Sequence, residues 1–430
     1  MTTASPEKAG PLRTDRQSSR FDRHPEVRLP GVALLTGGGD KPYVLGITEA
    51  LTENGVLLDL IGSNDLLCPQ LLNNQKVTFL NLRGDVSGGA SFAKKTLRVL
   101  AYYFRLIRYA FVSRCPVFHI LWNNKFELFD RTLLMGYYKL LRKKIVLTAH
   151  NVNVARRDGT DSLLNRLSLK TQYALCDHIF VHTKAMKEEL KSDFAVADKK
   201  VSVIPFGINN TVPNTALTRT EARRRIGIGA NEKTLLFFGN IAPYKGLEYL
   251  VAAMTLLNPD AAGYRLVIAG RVKQLITAGM SKASCDQYWN GIEAAIDENH
   301  LKSQVLKRIE FIPDEETELY FKVADVFVLP YASIFQSGVL FLGYSFGLPV
   351  IATDVGSLKE EIIEGKTGFT CLPKDPRALA NAIESYFSSD LYKNLETRRR
   401  EIKEYANERF SWSKVAETTT NVYSSLVSTL

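Results

Sequence analysis

The sequence predicts an α/β protein in which two doubly wound parallel-sheet domains face one another across a cleft. Three observations carry this. At 430 residues the chain is longer than one hydrophobic core readily serves, so two domains are expected. Each half opens with an apolar strand feeding a glycine-bearing turn and a helix-period run: GVALLTGGGDKPYVLGITEAL at Gly31 and TLLFFGNIAPYKGLEYLVAAM at Thr234. After each opening, continuous apolar runs of the kind a parallel sheet covered on both faces requires alternate with amphipathic segments.

Residues 1–28 are polar, rich in Arg, Ser and Pro, and contain no apolar core segment, so they read as a disordered leader and not a signal peptide. The first domain, residues 29–205, continues through VLLDLIGS, KVTFLNL, PVFHILW, KIVLTAHNV and HIFVHT and closes on KVSVIPFGI. Pro213 and the loss of periodicity mark residues 206–217 as a linker. The second domain, from residue 218 to 405, continues through YRLVIAG, RIEFIP, DVFVLPY and PVIATDVGS.

The longest uncharged stretch, the 28 residues from Val326 to Thr353, raises the alternative of a membrane-spanning helix. Pro330, Pro349, Gly338, Gly343 and Gly347 interrupt it too often for that. It reads instead as a strand ended by Pro330, a short helix over Val339–Phe346 introduced by Ser337-Gly338, and a second buried strand from Pro349.

Hydrophobic content of 45% and charged content of 23% are ordinary for a globular protein. The five cysteines, Cys68, Cys115, Cys176, Cys285 and Cys371, are odd in number and form no C-x-x-C, which fits a reducing, cytoplasmic setting. Residues 1–205 carry 30 Lys and Arg against 19 Asp and Glu, a net of +11; the remainder carries 25 against 26, a net of −1. All the excess positive charge therefore lies in the first half, and its expected partner is anionic: a membrane surface, a nucleic acid or a phosphorylated substrate. Basic and aromatic residues interleave on one predicted helix only, with no recognition module, so nucleic acid is the weakest of these.

Ligands of open α/β sheets bind beyond the carboxyl ends of the strands, so chemistry is sought in the loops there. The Gly37-Gly38-Gly39-Asp40 loop lets backbone approach a ligand, with Gly39 nearest the following helix; a plain tight turn is the alternative, and the spacing is not the G-x-G-x-x-G of a dinucleotide site. In FFGNIAPYKG, Gly239 and Asn240 end a strand and Lys245 stands at the mouth of a helix, where a fixed cation can grip a diphosphate; alternatively it is a solvated surface charge. Gln336, Ser337, Gly338 and Val339 open the short helix of the uncharged stretch, so Ser337 as N-cap would aim amides and a hydroxyl at an anion, or would serve as a purely structural cap.

His150 follows the strand KIVLT directly, with Asn151 beside it, and is placed to bond a sugar hydroxyl or move a proton. His178 and His182, read as the same face of one strand, stand about 13 Å apart, too far to share a metal. No D-x-D, G-x-S-x-G, Walker A or H-E-x-x-H occurs, so no metal or other cofactor is expected and a diphosphate would rely on Lys245, amides and a helix dipole.

Together, FFGNIAPYKGLEYLVAA, YRLVIAG, FIPDEETELYFKVADVFVLPY, QSGVLFLGYSFGLPVIATDVGSLKEEIIEGKTGF and FSWSKVAETTTNVY resemble the GT-B glycosyltransferases of family four over most of residues 30–425. The resemblance implies two Rossmann-like domains and a nucleotide-sugar donor, a UDP- or GDP-sugar, held by the second. It places Lys245 on the diphosphate, Glu360 near the nucleotide, His150 facing the donor sugar, and a last helix, within residues 406–430, crossing back to the first domain. The paired glutamates of the family fall on Ile334 and Leu342, and its common arginine on Asn240. The QSGVL sequence resembles that of bacterial members that use backbone and hydroxyl groups there, and the retaining or inverting outcome stays open.

The acceptor side expects a carbohydrate or a polyprenyl-linked sugar. Arg98, Arg105 and Arg108 in Lys94–Arg114, and YYKLLRKK from Tyr137, form basic amphipathic segments suited to anionic lipid at the inner face of the membrane, or ordinary core-facing helices with a solvated basic side. Arg156, Arg157 and Asp158 are candidates to meet an acceptor phosphate. The competing functions are a nucleotide-sugar epimerase, which would need carboxylates flanking the sugar carbon, and a non-catalytic nucleotide-binding protein.

Overall fold

The computed structural model describes residues 31–85, 92–157, 159–257, 263–272 and 282–429. The leader expected over residues 1–28 and the candidate Asp158 lie outside them.

Two all-parallel sheets organise the chain. The first takes β1 (Val32–Leu35), β2 (Leu58–Ile61), β3 (Val77–Leu80), β4 (Val117–Ile120), β5 (Lys144–Ala149), β6 (His178–Val181) and β7 (Val201–Val203) in the order β3-β2-β1-β4-β5-β6-β7. The second takes β8 (Lys233–Phe238), β9 (Tyr264–Ala269), β10 (Val305–Arg308), β11 (Val326–Leu329), β12 (Val350–Thr353) and β13 (Gly368–Cys371) in the order β10-β9-β8-β11-β12-β13. In each sheet the chain runs outward from a central strand and then returns to its other side, so the order reverses between β1 and β4 and between β8 and β11. Loops leaving those four strands part in opposite directions and open a crevice, which is where doubly wound sheets bind ligands.

The central strands are buried along their length: every residue of β1, β4, β11 and β12 is inaccessible or nearly so, and all are apolar except His119 in β4 and Thr353 in β12. The uncharged Val326–Thr353 stretch is thus β11, a loop, a helix over Gly338–Ser345 and β12, and no helix among the described residues is long and apolar enough to cross a membrane. Gly343 in that helix is needed for packing, because a Cβ there would lie 2.8 Å from the Phe327 ring.

Asp325, fully buried at the head of β11, accepts from the Arg219 and Arg223 guanidinium groups and, at 2.8 Å, from the Thr234 amide. Arg223 spends its remaining donors on the Val323, Gly229 and Ala230 carbonyls and the Thr234 hydroxyl. The helix that follows the linker, Arg219–Ile226, is thereby pinned to the edge of the central strands.

The chain does not end in the second domain. The Trp412–Val427 helix packs along the Lys41–Glu53 helix of the first, and Val415, Ala416 and Tyr423 share a core with Val32 and Leu34. Tyr423 places its hydroxyl 2.5 Å from His119 Nδ1 on β4, and the absence of a side chain at Gly46 admits the Trp412 ring, whose Cε2 lies 2.2 Å from where a Cβ would stand. Between the domains, Phe206 stacks on Phe341 at 5.3 Å, and the Ile208 amide donates to the Phe410 carbonyl.

Candidate active site

On the second domain the site is assembled by close backbone approach. Gly246, at φ +67°, lies against the carboxyl end of β11; a Cβ there would meet the Pro330 carbonyl oxygen at 2.0 Å. That contact draws the Pro243–Lys245 turn over Tyr331. Lys245, only 6% exposed, sits with Nζ 4.0 Å above the Tyr331 ring centre and 2.5 Å from its hydroxyl. The hydroxyl lies in turn 3.1 Å from Ser337 Oγ. Lysine has donors only, so the tyrosine oxygen accepts from Nζ and its own proton is available to Ser337. Burial holds the Tyr331 phenol above its ordinary pKa, which keeps that proton in place. Ser337 does occupy the N-cap position of the Gly338–Ser345 helix, but its hydroxyl makes no capping bond; it is turned toward Tyr331 instead. The amides of that first turn remain unclaimed by a cap side chain. Next to it, both amide atoms of Gln336 are buried and find no partner in the protein.

Of these groups Lys245 reaches a cavity of about 300 Å³ between the domains, while Tyr331, Gln336 and Ser337 are not among its lining. The cavity is lined by Gly239, Asn240, Lys245, Gly338, Val339 and Leu342 from the second domain and by Asp40 and Tyr43 from the first. The linker residues Phe206 and Asn209 and the Trp412 ring complete it. Gly239, at φ +105°, closes β8 and has its carbonyl 1.8 Å from where a Cβ on Gly270 would stand, so the loops after β8 and β9 abut. The Asn240 side chain is exposed and accepts from Arg271.

On the first domain the glycine run serves close packing. A Cβ on Gly39 would fall 2.0 Å from the Trp122 ring, and one on Gly38 would strike the Arg83 guanidinium. Asp40, not Gly39, is the residue of this loop that reaches the cavity, and it also caps the Lys41–Glu53 helix by accepting from the Tyr43 amide at 3.0 Å.

Behind Asp40 stands a wall of aromatic rings. Tyr43 meets Trp122, His150, His182, Phe206 and Trp412, each with ring centres 4.7 to 5.8 Å apart. His150 stacks on Trp122 at 4.0 Å, nearly parallel. β6 stops at Val181, so His182 leaves the strand instead of sharing its face with His178, and its Nε2 lies 3.0 Å from His150 Nδ1. Burial holds His150 well below its ordinary pKa, and His182 at about 4, so both are neutral at pH 7. His182 Nδ1 lies 3.4 Å from the Ile204 carbonyl, which can only accept. Nδ1 therefore carries the His182 proton, Nε2 accepts from His150 Nδ1, and His150 Nε2 is left as a bare, buried acceptor without a protein partner. It borders a second cavity of about 160 Å³ that Asn151, Arg131 and Gln172 also line.

The other sequence candidates stand apart. Glu360 is exposed on the short Leu358–Glu361 helix and does not line the cavity; its carbonyl accepts from Arg409. Its neighbour Glu361 is the buried one, pushed up to about 7 by burial. Arg156 turns outward to Asp193, at 2.7 Å, and Glu189, and Arg157 ends the short Val154–Arg157 helix. Among the described residues no group of three or more His, Cys, Asp and Glu could hold a metal ion.

Comparison with known proteins agrees with this architecture. The family model "Glycosyltransferase Family 4" matches residues 37–211, and "Glycosyl transferases group 1" matches residues 218–409. An uncharacterized glycosyltransferase of Methanocaldococcus jannaschii is 28% identical over 293 residues, covering 66% of this chain and 70% of its own. Sucrose-phosphate synthase from Thermosynechococcus elongatus superposes with a TM-score of 0.71 at 21% identity, over 94% of this chain and 100% of its own. An Anabaena protein solved in complex with UDP and glucose gives a TM-score of 0.68 at 16% identity, over 92% of this chain and 100% of its own. One family model on each sheet and neighbours that span both sheets lead to one conclusion: the chain is a glycosyltransferase of the GT-B, family-four type.

Proposed function

We propose that the chain transfers a sugar from a nucleoside diphosphate sugar, a UDP- or GDP-sugar, to a carbohydrate or lipid-linked acceptor, and does so without a metal ion. The observation that carries this is the cavity in which the Lys245 cation, the Gly239 turn and the uncapped first turn of the Gly338–Ser345 helix converge. A diphosphate needs positive charge and oriented donors, and here an ammonium, helix amides and the helix dipole supply them. The UDP and glucose bound by the Anabaena neighbour support a uridine nucleotide as the first donor to try.

In this reading Lys245 takes the diphosphate oxygens and stabilises the leaving nucleotide as the glycosidic bond to it breaks. The unpartnered His150 Nε2, which borders the second cavity, gains a sugar hydroxyl there as partner, which relieves its burial without a hydrogen bond. Asp40, on the opposite rim, is the carboxylate available to the acceptor hydroxyl. Closure of the domains about residues 206–217 excludes water from the reacting sugar.

Release of nucleoside diphosphate from a panel of UDP- and GDP-sugars, with EDTA present and with free and polyprenyl-linked sugars as acceptors, tests the proposal. One donor should be consumed in an acceptor-dependent way, with Lys245→Ala slowed at least a hundredfold. Turnover that disappears with EDTA and returns with a divalent cation would overturn the metal-free reading; turnover unaffected by Lys245→Ala would overturn the diphosphate site.

A further inference from the structure

We propose that the Phe92–Val112 helix of the first domain is a membrane-docking surface that lies on an anionic lipid bilayer. Its inner face is ordinary: Tyr102, Tyr103, Leu106 and Ala110 are buried against the sheet. Its outer face is not, because Leu97, Leu100, Phe104, Phe111 and Val112, spaced to fall on one side of a helix, are between 56% and 71% exposed. A surface helix of a globular protein carries polar residues on the side away from its core, so two phenylalanines and two leucines held in water call for a partner. The neighbouring stretch, whose Tyr137 hydroxyl reaches the Ile107 carbonyl, leaves Leu133 and Leu140 exposed as well.

Charge identifies the partner. From Val86 to Phe126 the sequence holds seven Lys and Arg and no Asp or Glu, within a half-chain of net charge +11. Arg108 stands inside the apolar stripe and Lys95 and Arg114 at its ends, all exposed. A second copy of this chain docked by two-fold symmetry would set these cations against themselves, which disfavours a dimer through this face. Anionic headgroups meet the cations while the phenylalanine and leucine side chains enter the acyl boundary, the arrangement of an interfacial helix. The helix is also tied to the loop that adjoins the cleft. Arg98 donates to the Asp85 carbonyl in the loop after β3, and Arg83 of that loop packs on Gly38 beside the cavity. Docking by this face sets the cleft mouth next to the bilayer, within reach of a lipid-linked acceptor, but the surface itself does not depend on which sugar is transferred.

Co-sedimentation of the full chain with vesicles of phosphatidylcholine alone, or of phosphatidylcholine with phosphatidylglycerol, decides the matter. The wild type should be retained by the anionic vesicles and released as salt rises. Phe104→Ser/Phe111→Ser, which leaves the charge unchanged, and Lys95→Gln/Arg108→Gln should each reduce retention about tenfold. Melting temperature and nucleotide binding should not change in either variant, which shows that the fold and donor site are intact. Absence of retention by anionic vesicles, retention that both variants preserve, equal retention on DNA, or a wild-type dimer that the serine substitutions convert to monomer would each overturn the proposal.

Discussion

Tyr331→Phe removes one oxygen from the centre of the donor site and keeps the ring. In the structure that oxygen accepts from Lys245 Nζ at 2.5 Å and lies 3.1 Å from Ser337 Oγ, and all three residues are buried. The substitution leaves the Lys245 contact with the ring face, but deprives two buried polar groups of a partner. Losing a hydrogen bond at a buried polar group costs about 1–3 kcal/mol, and the serine hydroxyl can rotate toward another acceptor, so a net loss of about 2–4 kcal/mol is expected. In a domain of this size each kcal/mol moves the melting temperature by about 2–4 °C, so the variant should melt roughly 5–15 °C lower. Nucleotide affinity should fall about tenfold as the ammonium loses its fixed position, so the same nucleotide concentration should stabilise the variant by about 1.4 kcal/mol less than the wild type. Differential scanning calorimetry with and without nucleotide reads both numbers. A variant that melts with the wild type and binds nucleotide equally well would refute the view that Tyr331 positions Lys245.

Other consequences concern the frame around the site. Asp325→Ala leaves the buried Arg223 guanidinium without its carboxylate and should cost about 3–5 kcal/mol in urea unfolding, whereas Asp325→Asn should cost less. Trp412→Ala removes the ring that packs on Gly46 and Gly207 and the indole N–H bonded to the Ile208 carbonyl; a loss of about 3 kcal/mol and faster proteolysis of the last helix are expected. His119, between Tyr423 and Thr148, is held down to about 3 by burial, while the unfolded chain protonates near pH 6.5. The unfolded state therefore takes up the proton first. This contribution is complete above about pH 6.5 and is lost as pH falls, by about 2 kcal/mol at pH 5, and melting curves from pH 7.5 to 5 should show the decline.

How far the sequence reaches can be seen residue by residue. The parallel sheets are legible because strands covered on both faces must be continuous apolar runs, so VALL, VFHI, VFVL and VIAT announce themselves. Prolines and glycines at fixed places separate strand, helix and strand within Val326–Thr353 without any tertiary information. The Lys-Gly turn is legible for the same reason, since Gly246 must take φ +67°.

Tyr331 is not legible: an aromatic after Pro330 looks like core, and its bond to Lys245 spans 86 residues. The hydroxyl of Ser337 is drawn from capping by that same tyrosine. His182 could be placed beside His150 only by knowing that β6 stops at Val181, a boundary that periodicity fixes no better than a residue or two. The aromatic wall of Tyr43, Trp122, Phe206 and Trp412 gathers side chains from both ends of the chain, and a local pattern carries no trace of it. Arg156 likewise meets Asp193 through a helix packing that no spacing reveals.

The most direct test of a metal-free diphosphate site at Lys245 is thermal stabilisation of the purified protein by UDP, GDP, ADP and dTDP in the presence of EDTA, repeated with Lys245→Ala. A nucleotide at one hundred times its dissociation constant adds about 2.7 kcal/mol. The account predicts that one nucleotide raises the wild-type melting temperature by several degrees and leaves Lys245→Ala unmoved. Equal stabilisation of both proteins, or none by any nucleotide at millimolar concentration, would contradict it.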